Sequence, residues 1–358
     1  MGIKKVICAI IFLITAVKGF SLSSDSLSVK NKPAPVKIGP VYFDASIDSA
    51  LLRRLLVKER LQKKNEDAPE LENYQNLLVL RNLLNETEIS EEPSDRIIGS
   101  LELVLEEYQR TKNLKGQALI YNTYGVYYGR KGETEKAISN FLEALKIREQ
   151  LKDKFGMARV GDNLAALYRM KGNYGQAAGY NEISIRHYAA LGKTAEAATT
   201  YLALAENKLL QKKYSESENC VLRKALPMFT RTGNKAGRLK SFQSLARIYY
   251  QQDKLTEAKW FYVQAQSLAQ RLNNQEAVIS SLIHLAEVKN ALGEFEWALD
   301  DYLEAERLAI KNNMPYKLLE IKGDLGEIYN QMGNYLAAGN ALDEYNRLKE
   351  DFLKDIVL

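Results

Sequence analysis

The sequence predicts an all-α chain, a solenoid of stacked antiparallel helix pairs. Three observations carry that expectation: a segment that recurs every 40 residues, large apolar residues three and four apart inside it, and small residues at fixed places beside them. The six copies begin at Tyr121, Val160, Tyr201, Phe242, Leu282 and Lys322, and their shared small residue is Gly125, Ala165, Ala205, Ala246, Ala286 and Gly326. Successive spacings of that residue are 40, 40, 41, 40 and 40.

Each copy decodes as two helices. The first carries a stripe such as Tyr121, Tyr124 and Tyr128, or Phe242, Leu245 and Tyr249, with the small residue beside it so that a neighbour can approach. A turn follows, with Gly132, Gly172, Gly293 or Gly333 where a left-handed C-cap favours glycine. The second helix has small residues at Ala137, Ala177, Ala258, Ala298 and Ala338, with aromatics four residues later at Phe141, Tyr262 and Tyr302. Small faces large, the paired helices interdigitate, and stacking buries a continuous core that no single copy provides. The third copy departs most, with Lys208, Lys212 and Ser217 where an aromatic, Gly and Ala are usual, and an irregularity is expected there.

The chain resembles the tetratricopeptide-repeat family over about 115–345. The family's positions are met most fully by Tyr124, Gly125, Tyr128, Ala137, Phe141 and Ala144. The resemblance implies a right-handed superhelix. The family period is ~34 residues, so three residues added to each helix account for 40, the long-helix variant of kinesin-light-chain-like and bacterial regulatory members. The family's helix-ending Pro is missing.

Before the repeats, three further helices are expected, over 44–65, 69–85 and 93–111, the last with Ile97, Leu101, Val104 and Tyr108 on one face. They form a region 44–114 comprising an N-terminal cap and a worn repeat, followed by six repeats over 115–358. The final helix, from Tyr335 through Leu348, Phe352 and Ile356, has no terminator and keeps an apolar stripe suited to folding back or to a homodimer contact. Residues 1–19 read as a secretory signal. Lys4 and Lys5 precede an apolar run from Val6 to Val17, with Gly19 and Ser21 suited to cleavage. That run is too short to span a bilayer, which needs about 20 residues. Residues 20–43, with Pro33, Pro35 and Pro40, read as a flexible leader. The expected location is therefore across the inner membrane, in the periplasm, with no membrane span once the signal is removed. After cleavage Cys220 is the one remaining cysteine, which rules out an intramolecular disulfide.

Charge and motif content narrow the function. The formal charge is +5, but its excess sits before Asp44, and the rest of the chain carries 44 basic and 44 acidic residues. A nucleic-acid binder needs a surplus of cations, so that class is excluded. His187 and His284 lie 97 residues apart, outside any metal-binding spacing, and no GxSxG, GxxxxGK[ST] or GxGxxG occurs. No enzyme and no cofactor is expected.

The family resemblance implies that chosen positions of the first helices line a concave groove. Here these are Asn122, Val126 and Arg130; Arg159, Asp162, Arg169 and Met170; Leu202, Glu206 and Leu209; Lys240, Gln243, Arg247 and Tyr250; Ile283, Glu287 and Asn290; Glu320, Glu327 and Asn330. Early copies offer Arg130, Arg159, Arg169, Lys240 and Arg247, and the last two offer Glu287, Glu320 and Glu327, so a bound segment would lie with its acidic part toward the early copies. The Lys and Asn that clamp a chaperone's terminal carboxylate in some members are replaced by Asp162 and Ala166. The expected function is an exported scaffold binding a protein or peptide in this groove. The alternative is an input module of a bacterial signalling system, tied to a histidine kinase or transcription factor.

Overall fold

A computed structural model describes residues 95–357, all of them inside the second of two compact units, Ile38–Leu358. The expected signal, leader and the helices over 44–65 and 69–85 lie outside the described residues. Among those described there are helices and turns and no strand. In order the helices are α1 (Asp95–Arg110), α2 (Leu114–Arg130), α3 (Thr134–Gln150), α4 (Lys154–Met170), α5 (Tyr174–Ala190), α6 (Thr194–Leu210), α7 (Tyr214–Asn219, Cys220–Ala225 and Leu226–Arg231), α8 (Lys235–Gln251), α9 (Leu255–Arg271), α10 (Gln275–Ala291), α11 (Phe295–Lys311), α12 (Pro315–Gln331) and α13 (Tyr335–Val357).

Two 17-residue helices and two three-residue turns fill the 40-residue period, as three residues added to each helix require. The turns share one design. At the end of α2 the amide of Gly132 donates to Gly129 O and that of Glu133 to Tyr128 O, the pairing of a Schellman motif around a left-handed residue. Gly132, Gly172, Gly192, Gly233, Gly293 and Gly333 fill that left-handed place in half of the described turns; Lys112, Lys152, Lys212, Asp253, Asn273 and Asn313 fill it in the others. The residue after it opens the next helix. Asn113, Asp153, Asn173, Asn234 and Asn274 accept a backbone N–H three residues on, satisfying one of the helix's orphan donors.

Small meets large at the predicted places. A Cβ on Gly125 would stand 2.7 Å from the Phe141 ring, and one on Gly326 would stand 2.8 Å from Leu342. Ala137, Ala177, Ala246, Ala258, Ala286 and Ala298 are buried, as are Phe141, Tyr262 and Tyr302. α1 confirms the helix expected over 93–111 and buries Leu101, Val104 and Tyr108.

The third repeat carries the expected irregularity. Its second helix, α7, is one residue longer than its counterparts and contains a π-helical turn at Cys220–Ala225. A π turn absorbs an inserted residue by widening the ladder from i→i+4 to i→i+5. This accounts for the single spacing of 41, which restores register by α8. Around it the usual packing is replaced. Tyr168 stacks on Tyr180 and Tyr249 on Phe261, with centroids 5.5 and 5.4 Å apart. At the equivalent places Lys208 reaches Glu216 at 2.9 Å and Glu182 at 3.5 Å, with Cys220 beside it, burial pushing that thiol up to about 11. Ser217, standing for the usual Ala, donates to the Ala205 carbonyl at 2.6 Å.

Candidate functional site

The first helices of successive repeats are neighbours: α2 packs on α4, α6 on α8 and α10 on α12. That adjacency sorts the residues expected on their shared face. Asn122 is 6% exposed, with its Oδ1 accepting from Asn163 Nδ2 at 3.4 Å, so it joins α2 to α4 inside the stack. Val126, Leu209 and Ile283 are also buried and line no open groove, because the next first helix covers them. The side chain of Arg130 lies outside the described residues. Lys240 and Glu327 are exposed, Gln243 and Asn290 half-buried.

The remaining residues form two groups. In the first, on α4 to α6, Asp162 Oδ2 accepts from the Tyr188 hydroxyl at 3.0 Å and Oδ1 from Thr200 Oγ1 at 3.1 Å. Burial pushes the Asp162 carboxyl up to about 6 in spite of those hydrogen bonds, which favour its charged form. Arg159 stands 5.6 Å from the centre of the Phe155 ring, close enough to Tyr188 to act on its hydroxyl.

The second group comprises seven predicted residues, Arg169, Glu206, Arg247, Tyr250, Glu287, Asn290 and Glu327. Glu206 of α6 forms an ion pair with Arg247 of α8. The Arg169 side chain of α4 has no hydrogen bond or ion pair among the described residues, and burial lowers its pKa. The Arg247 pKa is lowered by burial first and, to a smaller extent, by the charge of Arg169. On the other side, burial and then Glu287 and Glu327 raise the Tyr250 pKa. Burial and then Glu287 raise the Tyr262 pKa, and Arg247 acts against them. Glu287 Oε2 also lies 2.9 Å from His284 Nδ1, and the Asn290 Oδ1 is buried with no hydrogen-bond partner.

Tyr262 was legible in the sequence only as the large residue opposite Ala258. It is buried on the second helix of the pair, where the charges of Glu287 and Arg247 act on it. An aromatic whose apolar ring fills a core and whose polar tip seeks a partner was the signal that could have found it. Among the described residues no group of three or more His, Cys, Asp or Glu side chains could hold a metal ion, and no helix is long and apolar enough to cross a membrane.

Comparison with known proteins agrees with this architecture. Residues 116–190 match the tetratricopeptide-repeat family model. No curated protein matches the chain by sequence. Solved structures with the same fold include BtubC from P. vanneervenii, at 22% identity and a TM-score of 0.54 over 62% of this chain and 92% of that one. A Rap protein complexed with competence and sporulation factor aligns at 13% identity and a TM-score of 0.55, over 85% of this chain and 94% of that one. A signal-transduction ATPase from Pyrococcus horikoshii with a tetratricopeptide-repeat sensor aligns at 19% identity and a TM-score of 0.58, over 87% of this chain and 50% of that one. Residues 116–190 thus match the tetratricopeptide-repeat family model, and the described chain has the paired-helix solenoid fold of tetratricopeptide-like proteins.

Proposed function

We propose that the protein is an exported, non-catalytic scaffold that binds a protein or peptide segment in the groove lined by its first helices. One observation supports the reading: the first helices carry basic residues, Arg169 and Arg247, in the earlier repeats and acidic ones, Glu287 and Glu327, in the later repeats, and the charges of Arg247 and Glu287 both act on Tyr262. Such an arrangement orients a dipolar segment, its acidic part toward α4 and α8, and sets specificity and encounter more than raw affinity. The similarity to a Rap protein complexed with competence and sporulation factor supports a ligand-holding use of the fold. Export rests on the basic start and apolar run of residues 1–19.

The test compares the full chain with an Arg247→Ala, Tyr250→Ala variant as baits for the exported fraction. A partner retained by the first and lost by the second supports the groove; equal retention of every partner would sink it. Terminal sequencing of the protein from that fraction reads export, a start near Ser21 being expected.

The second reading is a sensory or regulatory module, and α13 favours it. This helix runs 23 residues where α2 to α6 and α8 to α12 run 17, and it leaves Tyr335, Leu336 and Leu342 exposed. The tetratricopeptide-repeat sensor of the Pyrococcus horikoshii protein supports that use. A concentration-dependent dimer in sedimentation, abolished by Leu336→Glu and Leu342→Glu, is the expected sign of a homodimer through α13. A monomer at all concentrations would remove the dimer.

A further inference from the structure

We propose that the outward stripe of α11 is a self-recognition surface, on which a second copy of this chain packs its own α11 antiparallel about a two-fold axis. The contact lies on a second helix, is independent of the first-helix groove, and differs from the one through α13.

Two unlike stripes run along α11. Ala298, Tyr302, Ala305 and Ala309 are buried and fix the helix to the stack. On the other side Trp297 and Ile310 are 60% and 61% exposed and Leu303 is 40% exposed. Equivalent places in the other second helices are polar. Counted by repeats, Trp297 stands where α3, α5 and α9 carry Lys136, Gln176 and Glu257, and Ile310 stands where α3 and α9 carry Glu149 and Gln270. A stripe of large apolar side chains, left in water where its counterparts are polar, marks an interaction surface.

The order of charges along that stripe says what covers it. From its start it reads Glu296, Trp297, Asp300, Leu303, Arg307, Ile310 and Lys311, all exposed and on one side of a 3.6-residue helix. A two-fold axis passing between Leu303 and Glu304 brings Trp297 to the level of the partner's Ile310, Asp300 to that of the partner's Arg307, and Glu296 to that of the partner's Lys311. Symmetry makes each pairing twice. Apolar meets apolar and acid meets base. A parallel arrangement would instead set each of these residues against itself, with like charges opposed.

Both members of the central ion pair have room for it. Arg307 donates from Nε and Nη2 to Glu304 at 2.7 and 2.6 Å, which leaves the two N–H groups of Nη1 for the partner's Asp300. Asp300 makes no hydrogen bond or ion pair among the described residues. Since α11 pairs by its outward stripe, the first helices of both copies stay uncovered.

Sedimentation equilibrium of the full chain over a wide range of concentration tests the contact. The parent should dimerise. Ile310→Glu and Trp297→Ala, both at exposed positions, should each weaken the dimer by roughly 30-fold. With Trp260→Phe leaving Trp297 as the single tryptophan, emission should move to the blue as concentration rises, because pairing takes the indole out of water. Asp300→Arg and Arg307→Asp each oppose like charges twice and should each weaken self-association. Carried on one chain, the two changes should restore it, which selects the antiparallel register.

A parent monomeric at every concentration, a dimer indifferent to Ile310→Glu and Trp297→Ala, or a doubly exchanged chain as weak as the single variants would each overturn the pairing. A dimer lost on Leu336→Glu with Leu342→Glu, and kept on Ile310→Glu, would assign self-association to α13 instead. A monomeric parent retained by phosphatidylcholine vesicles would assign the stripe to a lipid surface. Partner capture through Arg247 and Tyr250 is read separately, so none of these results decides the groove.

Discussion

The same 20-residue helix-and-turn rhythm holds two differently built regions. From α8 to α13 the repeats bury one large apolar cluster, running from Leu239 through Ile279, Ile283 and Tyr302 to Ala341, with a smaller one around Ala246, Tyr262 and Leu285. From α5 to α7 the apolar clusters are small, among them Ala178, Ile185 and Leu204, and Ala198, Ala225 and Phe229. Polar groups stand between them. Asn207 donates to Asn181 at 2.7 Å, both side chains being 1% exposed, and Ser184 donates to the Ala158 carbonyl at 2.7 Å. The difference teaches that the backbone pattern tolerates either filling, because caps and left-handed turns set the helices while the interior decides only how strongly neighbours hold. In a solenoid, where each repeat leans on its neighbours, the weaker joint becomes the natural place for local opening.

The largest effect that sharpens this contrast is expected in the apolar region. Ile283→Ala empties a fully buried site in α10 and should cost about 2–5 kcal/mol in urea unfolding followed by circular dichroism. A smaller loss than at any α5–α7 site would break the comparison. Next comes Ala286→Leu, which forces extra carbons into a place with 0% exposure and should cost about 1–3 kcal/mol, against little for Lys254→Leu on the surface. Equal melting temperatures for these two would contradict the close approach of the paired helices.

In the polar region, Asn207→Leu leaves the Asn181 oxygen without its donor and should cost about 1–3 kcal/mol. The double change Asn181→Leu, Asn207→Leu removes both ends of the bond and should recover most of that loss. A double variant worse than the single one would show that the pair is held for more than mutual satisfaction.

The smallest expected effect is a pH dependence. The Asp162 carboxyl sits at about 6 in the folded protein against an ordinary 3.8, so the folded chain binds its proton more tightly than the unfolded one. Burial of the charged form therefore costs stability in full above pH 6, and the cost fades as pH falls toward 4. Asp162→Asn keeps an acceptor for Tyr188 and Thr200. It should melt higher than the parent at pH 7, by on the order of 1–2 kcal/mol, and lose that advantage near pH 4. A constant difference across that range would remove Asp162 as its source.

Much of this fold was legible in the amino-acid order. The recurring small residues, the stripes beside them and the glycine turns are local, so Gly125, Ala246, Phe141 and Gly132 could be assigned before any contact was known. The 41-residue spacing and the odd residues at Lys208 and Ser217 pointed to an irregular third repeat. The site was legible as a set of charges and less so as an arrangement. Asn122 and Ile283 were expected in the groove and are buried, because a position along a helix says nothing of how closely the next first helix covers it.

The order of residues by itself determined the helices, their length, their turns and the register of the stack, since hydrogen bonds within a helix and the left-handed residue at its end depend on neighbours a few positions apart. Tertiary structure alone decided that the extra residue becomes a π turn at Cys220–Ala225, that Glu206 meets Arg247 and that Asn207 meets Asn181. Those outcomes depend on distances between separate helices. Such distances are set by how side chains of unlike size fill the space between the helices.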